Sequence, residues 1–249
     1  MTKKPKIAFF DFTCCEGCQL AFSEMENELP DILGMVEIVN FREIADVRRD
    51  DYDIAFIEGS VSRPADVERS RQIRERAGIV VAIGACATNA GVNAIKNRFA
   101  NQEELRRYVY GDKYALFDTF EARPHSAVIK VDYELHGCPM ERSEFKELLK
   151  ALVFGKPWRQ KNYPVCVECK ITGNTCVYDL GMTCLGPITR AGCNALHPGV
   201  GHRCEGCHGF IDHPNTDAEK EVLAKHGLTV QSLMNDLRLF NSYSESPIS

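Results

Sequence analysis

Cysteine is the residue through which this chain could do chemistry. There are 12 in 249 residues, too many for thiols that merely fill a core and too dilute for a small disulfide scaffold. Five come early, at Cys14, Cys15, Cys18, Cys86 and Cys138. Seven crowd into the 45 residues from Cys166 to Phe210: Cys166, Cys169, Cys176, Cys184, Cys193, Cys204 and Cys207. Thiols grouped in this way can form disulfides, hold tetrahedral zinc or ligate iron–sulfur clusters. The basic start, Met1 to Lys6, is followed by an apolar run of only Ile7 to Phe10, short of the roughly 7–15 residues of a secretory h-region. A cytoplasmic location is therefore expected, and its reducing conditions favour metal over disulfide. Zinc ribbons want two C-x2-C pairs about 15–20 residues apart. Here 34 residues separate Cys166/Cys169 from Cys204/Cys207, with three single cysteines between them. Seven thiolates suit two iron–sulfur clusters better, one with four ligands and one with three plus an unusual or absent ligand.

The elements that must position these thiols alternate as in an α/β protein. Strands are expected at Lys6–Phe12, Val36–Phe41, Asp53–Ile57, Gly78–Ile83 and Ala127–Tyr133. Several are apolar throughout, as central strands covered on both faces should be. After Cys15, the residues Cys18, Phe22, Met25 and Leu29 recur at helical spacing, with Pro30 as the expected stop. Pro64 and Gly78 bracket a charged helix, and Phe145, Leu148, Leu149 and Leu152 form an apolar stripe after Pro139. The pattern predicts a flavodoxin-like, doubly wound parallel sheet over residues 1–153. The early cysteines then fall just past strand ends, where open α/β sheets bind ligands: Cys15 and Cys18 after the first, Cys86 after the fourth, Cys138 after the last. Cys15 and Cys18 are expected on one side of a helix's first turn. Gly17, Gly84 and Gly137 would let backbone approach a bulky inorganic cube.

The character changes at about Phe154, so residues 154–249 are expected to form a second, irregular domain. From Cys166 to Phe210 there is neither helical nor strand period and little apolar material, so metal cross-links are expected to order it. The segment Thr216–Tyr243 should add one or two docking helices. With 44% hydrophobic and 26% charged residues and a net charge of −5, disorder is excluded, and no footprint for nucleic acid or anionic membrane is present. No apolar run approaches the roughly 20 residues of a membrane span. Blander readings account for single features only. Cys14 reads as a small buried hydrophobe. A thioredoxin-like Cys15/Cys18 redox pair would leave Cys86 and Cys138 unexplained. Gly84–Gly91 lacks the pattern of a phosphate loop.

Taken together, Thr13-Cys-Cys15-Glu-Gly-Cys18, Glu58-Gly59-Ser60, Gly84-Ala-Cys86-Ala-Thr88, Gly137-Cys138-Pro139 and the cysteine-rich tail resemble the small subunit of nickel–iron hydrogenases. The likeness spans about residues 6 to 210 and is greatest to the cytosolic branch, the sulfhydrogenase delta and methyl-viologen-reducing types. The resemblance implies a proximal 4Fe–4S cluster on Cys15, Cys18, Cys86 and Cys138, and a distal 4Fe–4S cluster on Cys166, Cys169, Cys176 and Cys184. It implies a medial cluster on Cys193, Cys204 and Cys207, either 4Fe–4S with His197 as fourth ligand or 3Fe–4S. Cys166 stands where periplasmic members have histidine. Gly17 and Gly91 stand where oxygen-tolerant members carry extra cysteines, so sensitivity to oxygen is expected. The implied partners are a large subunit holding the nickel–iron centre and a flavin subunit reducing NAD(P), or a heterodisulfide reductase. Hydrogen would be split in the large subunit; this chain would supply no catalytic residue. Glu16 and Glu58 are given no role. A cluster subunit of a complex I-type quinone reductase shares the N-terminal pattern but lacks the Cys166–Cys207 tail. A zinc-stabilised interaction module leaves the strand-end cysteines unexplained.

Overall fold

The computed structural model describes residues 4–244; the first three residues of the basic start lie outside them. Five strands form one sheet: β1 (Lys6–Asp11), β2 (Glu37–Asn40), β3 (Ile54–Glu58), β4 (Ile79–Ile83) and β5 (Tyr133–Leu135). Their order is β2-β1-β3-β4-β5, and every pairing is parallel. That is the flavodoxin-like order, with its switch between β1 and β3. β3, at the centre, is buried at every residue: its apolar run Ile54–Ile57 is covered on both faces, and Glu58 closes the strand.

Helices cover both faces. On one lie α1 (Gly17–Ser23) and α2 (Leu29–Met35), and a core of Phe9, Phe22, Phe41, Phe56 and Phe145 fills the space beneath them. The Phe9 ring lies 4.4 Å from Phe41 and 5.0 Å from Phe56, stacked on both. The opposite face packs Phe10, Ile57, Val80 and Ala82 against α3 (Pro64–Arg76) and against Ala87 of α4 (Gly84–Asn89). Asp66 pins the start of α3 by accepting from Ser62 N and Arg63 N, each at 3.0 Å. Beyond α4 the chain makes an excursion through α5 (Gln102–Tyr110) before β5. α6 (Arg142–Val153) then returns its Phe145, Leu148 and Leu149 to the aromatic core.

Three expectations need correction. Pro30 does not stop a helix; it sits in the first turn of α2, where its missing N–H costs nothing. The fifth strand starts where the expected one ended. His125–Ala127 forms a 3-10 turn, and Ile129 and Val131 are spent packing against the sheet as coil. Asp132 fixes the strand's entry by accepting from Val80 N at 2.8 Å. The tail is also less irregular than its composition suggests. Cys166 and Cys169 lie on α7 (Val165–Ile171), and His197 lies on the short α8 (Leu196–Gly199).

The tail also has a core of its own. α9 (Thr216–Lys225) and α10 (Val230–Leu237) lay Leu223, Leu233 and Leu237 over Val165, Tyr178, Leu185, Ile188, Cys184 and Cys204. Asn89 at the end of α4 donates to Phe240 O and Asn241 Oδ1, both at 3.2 Å, tying this layer to the sheet. Among the described residues no helix is long and apolar enough to cross a membrane.

Candidate metal centres

Strand ends bring the first set of thiols together. Cys15, Cys18, Cys86 and Cys138 line one cavity of about 70 Å³ with Gly17, Ala85, Gly137 and Pro139. Cys15 precedes the helix rather than lying on it: Glu16 turns through the left-handed region (φ 63), and α1 begins at Gly17. Cys18 is in that first turn and buried, whereas Cys15 and Cys138 are exposed. Cys86 lies in α4, which springs directly from β4. Gly84, at φ +81, packs so closely on the Cys18 sulfur that no side chain fits there. Gly91 is also close to Cys86, where a Cβ would lie 3.2 Å from Sγ.

Glu58 holds Cys18 in place. It is 2% exposed at the end of β3 and accepts from Cys18 N at 3.0 Å and Gln19 N at 3.1 Å. One carboxylate thereby satisfies two free N–H groups of a helix that has no cap of its own. The expectation that Glu58 has no role is therefore corrected; sequence shows a carboxylate after an apolar run but not its burial. Glu16 pairs with Arg42 at the surface. Cys14 is only half-buried, and its thiol is pushed up to about 12 by burial and by Glu58 and Asp11.

Two further sets lie in the tail. Cys166, Cys169, Cys176 and Cys184 line a cavity of about 160 Å³ whose other walls are almost wholly apolar, among them Val165, Val177, Pro187, Pro198 and Val222. A third cavity, about 280 Å³, is lined by Cys193, Cys207, His197 and His208, with Cys138 of the first set on its wall. Cys204 is buried beside it, close enough to Cys184, Cys207 and Cys193 for each to raise its thiol further. His197 is exposed, whereas His208 is buried. No sequence pattern distinguishes His208 from its neighbours.

The donor set has the chemistry a metal centre takes, thiols ringing cavities with backbone donors aimed at their sulfurs. Burial and the neighbouring thiols push Cys86, Cys166 and Cys207 up to about 12, and Cys18 is also raised well above the ordinary thiol value. Such groups stay protonated unless a cationic centre takes the place of the proton. Backbone donors already aim at the sulfurs. Met140 N lies 3.4 Å from Cys18 Sγ, and Cys184 Sγ accepts from Cys204 N at 3.3 Å and Gly186 N at 3.4 Å. One of these donors joins neighbouring sets, Cys204 N to the Cys184 sulfur, and Cys138 of the first set lines the cavity of Cys193 and Cys207. The three sets therefore stand in series. Among the described residues no three His, Cys, Asp or Glu side chains are gathered to hold a single metal ion; the thiols ring cavities instead.

A doubly wound parallel sheet with cysteines at its strand ends and a thiol-rich tail is the architecture of nickel–iron hydrogenase small subunits. Residues 15–152 match the family described as NADH ubiquinone oxidoreductase, 20 kDa subunit. The delta subunit of sulfhydrogenase 2 from Pyrococcus furiosus is 33% identical over 94% of this chain and 98% of its own length. Among solved structures, a subunit of an NAD+-reducing nickel–iron hydrogenase in the H2-reduced state superposes with a TM-score of 0.56 at 29% identity. That match covers 62% of this chain and 94% of that one. The actinobacterial-type hydrogenase of Ralstonia eutropha H16 shares the fold over 98% of this chain and 92% of its own, with a TM-score of 0.60 at 16% identity. The chain belongs to the 20 kDa subunit family of NADH ubiquinone oxidoreductase and, within it, to the small subunits of nickel–iron hydrogenases. It is thus an oxidoreductase subunit, and the likeness to the sulfhydrogenase subunit runs through the tail as well as the sheet.

Proposed function

We propose that this chain relays electrons between a large-subunit nickel–iron site and a further redox partner through three iron–sulfur clusters. The observation that carries this reading is the serial arrangement of the three thiol sets: Cys138 of the first shares a cavity with Cys193 and Cys207, and Cys204 N donates to the Cys184 sulfur. Cys15, Cys18, Cys86 and Cys138 would hold the proximal 4Fe–4S cluster within residues 1–153. In residues 154–249, Cys193, Cys204 and Cys207, with or without His197, would hold the medial one. Cys166, Cys169, Cys176 and Cys184 would hold the distal 4Fe–4S cluster. When bound, the clusters supply one-electron chemistry.

The protein's own contribution is positioning, burial and hydrogen bonding to sulfur. Glu58 fixes the Cys18 turn, the apolar wall around Cys166–Cys184 excludes water, and the backbone donors are aimed before any metal arrives. Cys15 and Cys138 reach the surface, and that edge is where the large subunit would dock. Hydrogen is split in that partner, in the cytoplasm, and no residue here is catalytic. A flavin-containing NAD(P)-reducing subunit or a heterodisulfide reductase would take the electrons at the distal end. Cys18→Ser tests the assignment. Hydrogen-dependent viologen reduction by the complex should fall by about 100-fold or more, beyond the loss typical of groups that only orient a ligand. Wild-type activity in that variant would remove Cys18 from the proximal set.

A further inference from the structure

One buried side chain at the junction of two thiol sets has no part in the relay as described. His208 is 2% exposed and lines the cavity shared by Cys138, Cys193, Cys207 and His197. Its Nδ1 lies 3.4 Å from the Cys207 sulfur. The other edge of the ring rests on the backbone just before Cys138: a Cβ on Gly137 would lie 3.1 Å from its Cε1 and 3.3 Å from its Nε2. Cys138 itself lines the same cavity wall as Cys207. One sulfur of the middle set is thus approached by an imidazole packed on the turn that carries a cysteine of the first set.

We propose that His208 is a positioning residue for the medial centre, donating from Nδ1 to the Cys207 sulfur and holding it against the Gly137–Cys138 turn. This rests on reading Cys193, Cys204 and Cys207 as the medial ligands. A metal-bound thiolate has no proton to give, so the proton of this hydrogen bond is on Nδ1, and Nε2 faces the glycine without a partner. Donors on cluster sulfurs are among the levers that set a reduction potential. A donor favours the more negatively charged, reduced state and so raises the potential. Its place between the first two sets puts that lever at the gap an electron must cross. His197, exposed on α8, has no comparable anchorage.

The test is the midpoint potential of the medial paramagnetic signal, followed in the anaerobically purified complex with the large subunit. His208→Phe keeps the bulk of the ring and removes both nitrogens, so the medial midpoint should move to more negative potential while the proximal and distal midpoints stay. His208→Asn places an amide N–H near the Nδ1 position and should bring the medial midpoint back toward wild type. An unmoved medial midpoint in the Phe variant overturns the proposal, as does an Asn variant as negative as Phe. Should Phe abolish the medial signal, the Asn variant decides. A signal at the wild-type midpoint supports donation from Nδ1, and its absence shows that the site needs the imidazole for another reason. A wild-type complex without any medial signal would defeat the three-site reading itself, and His208's role with it.

Discussion

Replacing Gly84 by alanine abolishes the proximal centre and lowers hydrogen-dependent dye reduction by about 100-fold or more, as loss of a ligand should. Two effects act together at this position. The backbone is at φ +81, where an L-residue costs about 1–2 kcal/mol. The added methyl would also overlap the Cys18 sulfur, and that sulfur cannot give way. Its helix is pinned through Cys18 N and Gln19 N to Glu58, and the thiol is buried. Strain of this kind is relieved only by moving Cys18 away from Cys15, Cys86 and Cys138. Gly34 supplies the control. It lies in α2 at an ordinary φ, and a methyl added there would meet nothing within 4 Å. Gly34→Ala should therefore leave the centre intact and stabilise the chain by about 0.4–1 kcal/mol. Iron content and dye reduction of the two variants, side by side, check the prediction; equal iron in both would refute it.

Glu168→Ala is expected to empty the medial site selectively. Glu168 lies between Cys166 and Cys169 on α7, but its carboxylate turns away to the neighbouring loop. Oε2 accepts from Gly192 N at 3.2 Å and Ala195 N at 3.3 Å, the residues on either side of Cys193 and Asn194. Lys161 balances the charge, 3.4 Å from Glu168 and 3.5 Å from Glu144 of α6. Truncation leaves two buried N–H groups without an acceptor, at about 1–3 kcal/mol each, and leaves Lys161 with one carboxylate instead of two. A loop that carries a ligand cannot hold its register against a loss of that size. About three or four irons per chain should go missing, the content of one cluster, with the proximal signal retained. Glu168→Gln keeps one acceptor oxygen and should lose less. Full medial occupancy in the alanine variant would show that Cys193 is positioned by something else.

Legibility in the sequence follows burial. β1, β3 and β4 are readable because buried parallel strands are near-continuous apolar runs, and the edge strand β2 because Ile38 and Val39 stand between the apolar Val36 and Phe41. The fifth is misplaced because Ile129 and Val131 are just as apolar but pack as coil. α5 carries Leu105, Tyr108 and Val109 at helical spacing but buries none of its residues, so the excursion around it lies outside the core that the strand pattern predicts. α7 is a short helix whose cysteines mask its period. The strand-end rule brings Cys15, Cys18, Cys86 and Cys138 to one place in advance, since topology alone determines where those loops converge. Glu58, Glu168 and His208 are beyond reach for a different reason. Carboxylates and imidazoles are usually solvated, and only the three-dimensional surroundings reveal which of them are buried against backbone donors or sulfur.

Whether this chain carries three iron–sulfur clusters in series is tested most directly by iron, acid-labile sulfide and zinc per chain in the anaerobically purified complex. Three clusters require about eleven or twelve irons with matching sulfide, no stoichiometric zinc, and nickel confined to the large subunit. About four irons with zinc in the tail would contradict the relay, leaving a single proximal cluster above a C-terminal scaffold.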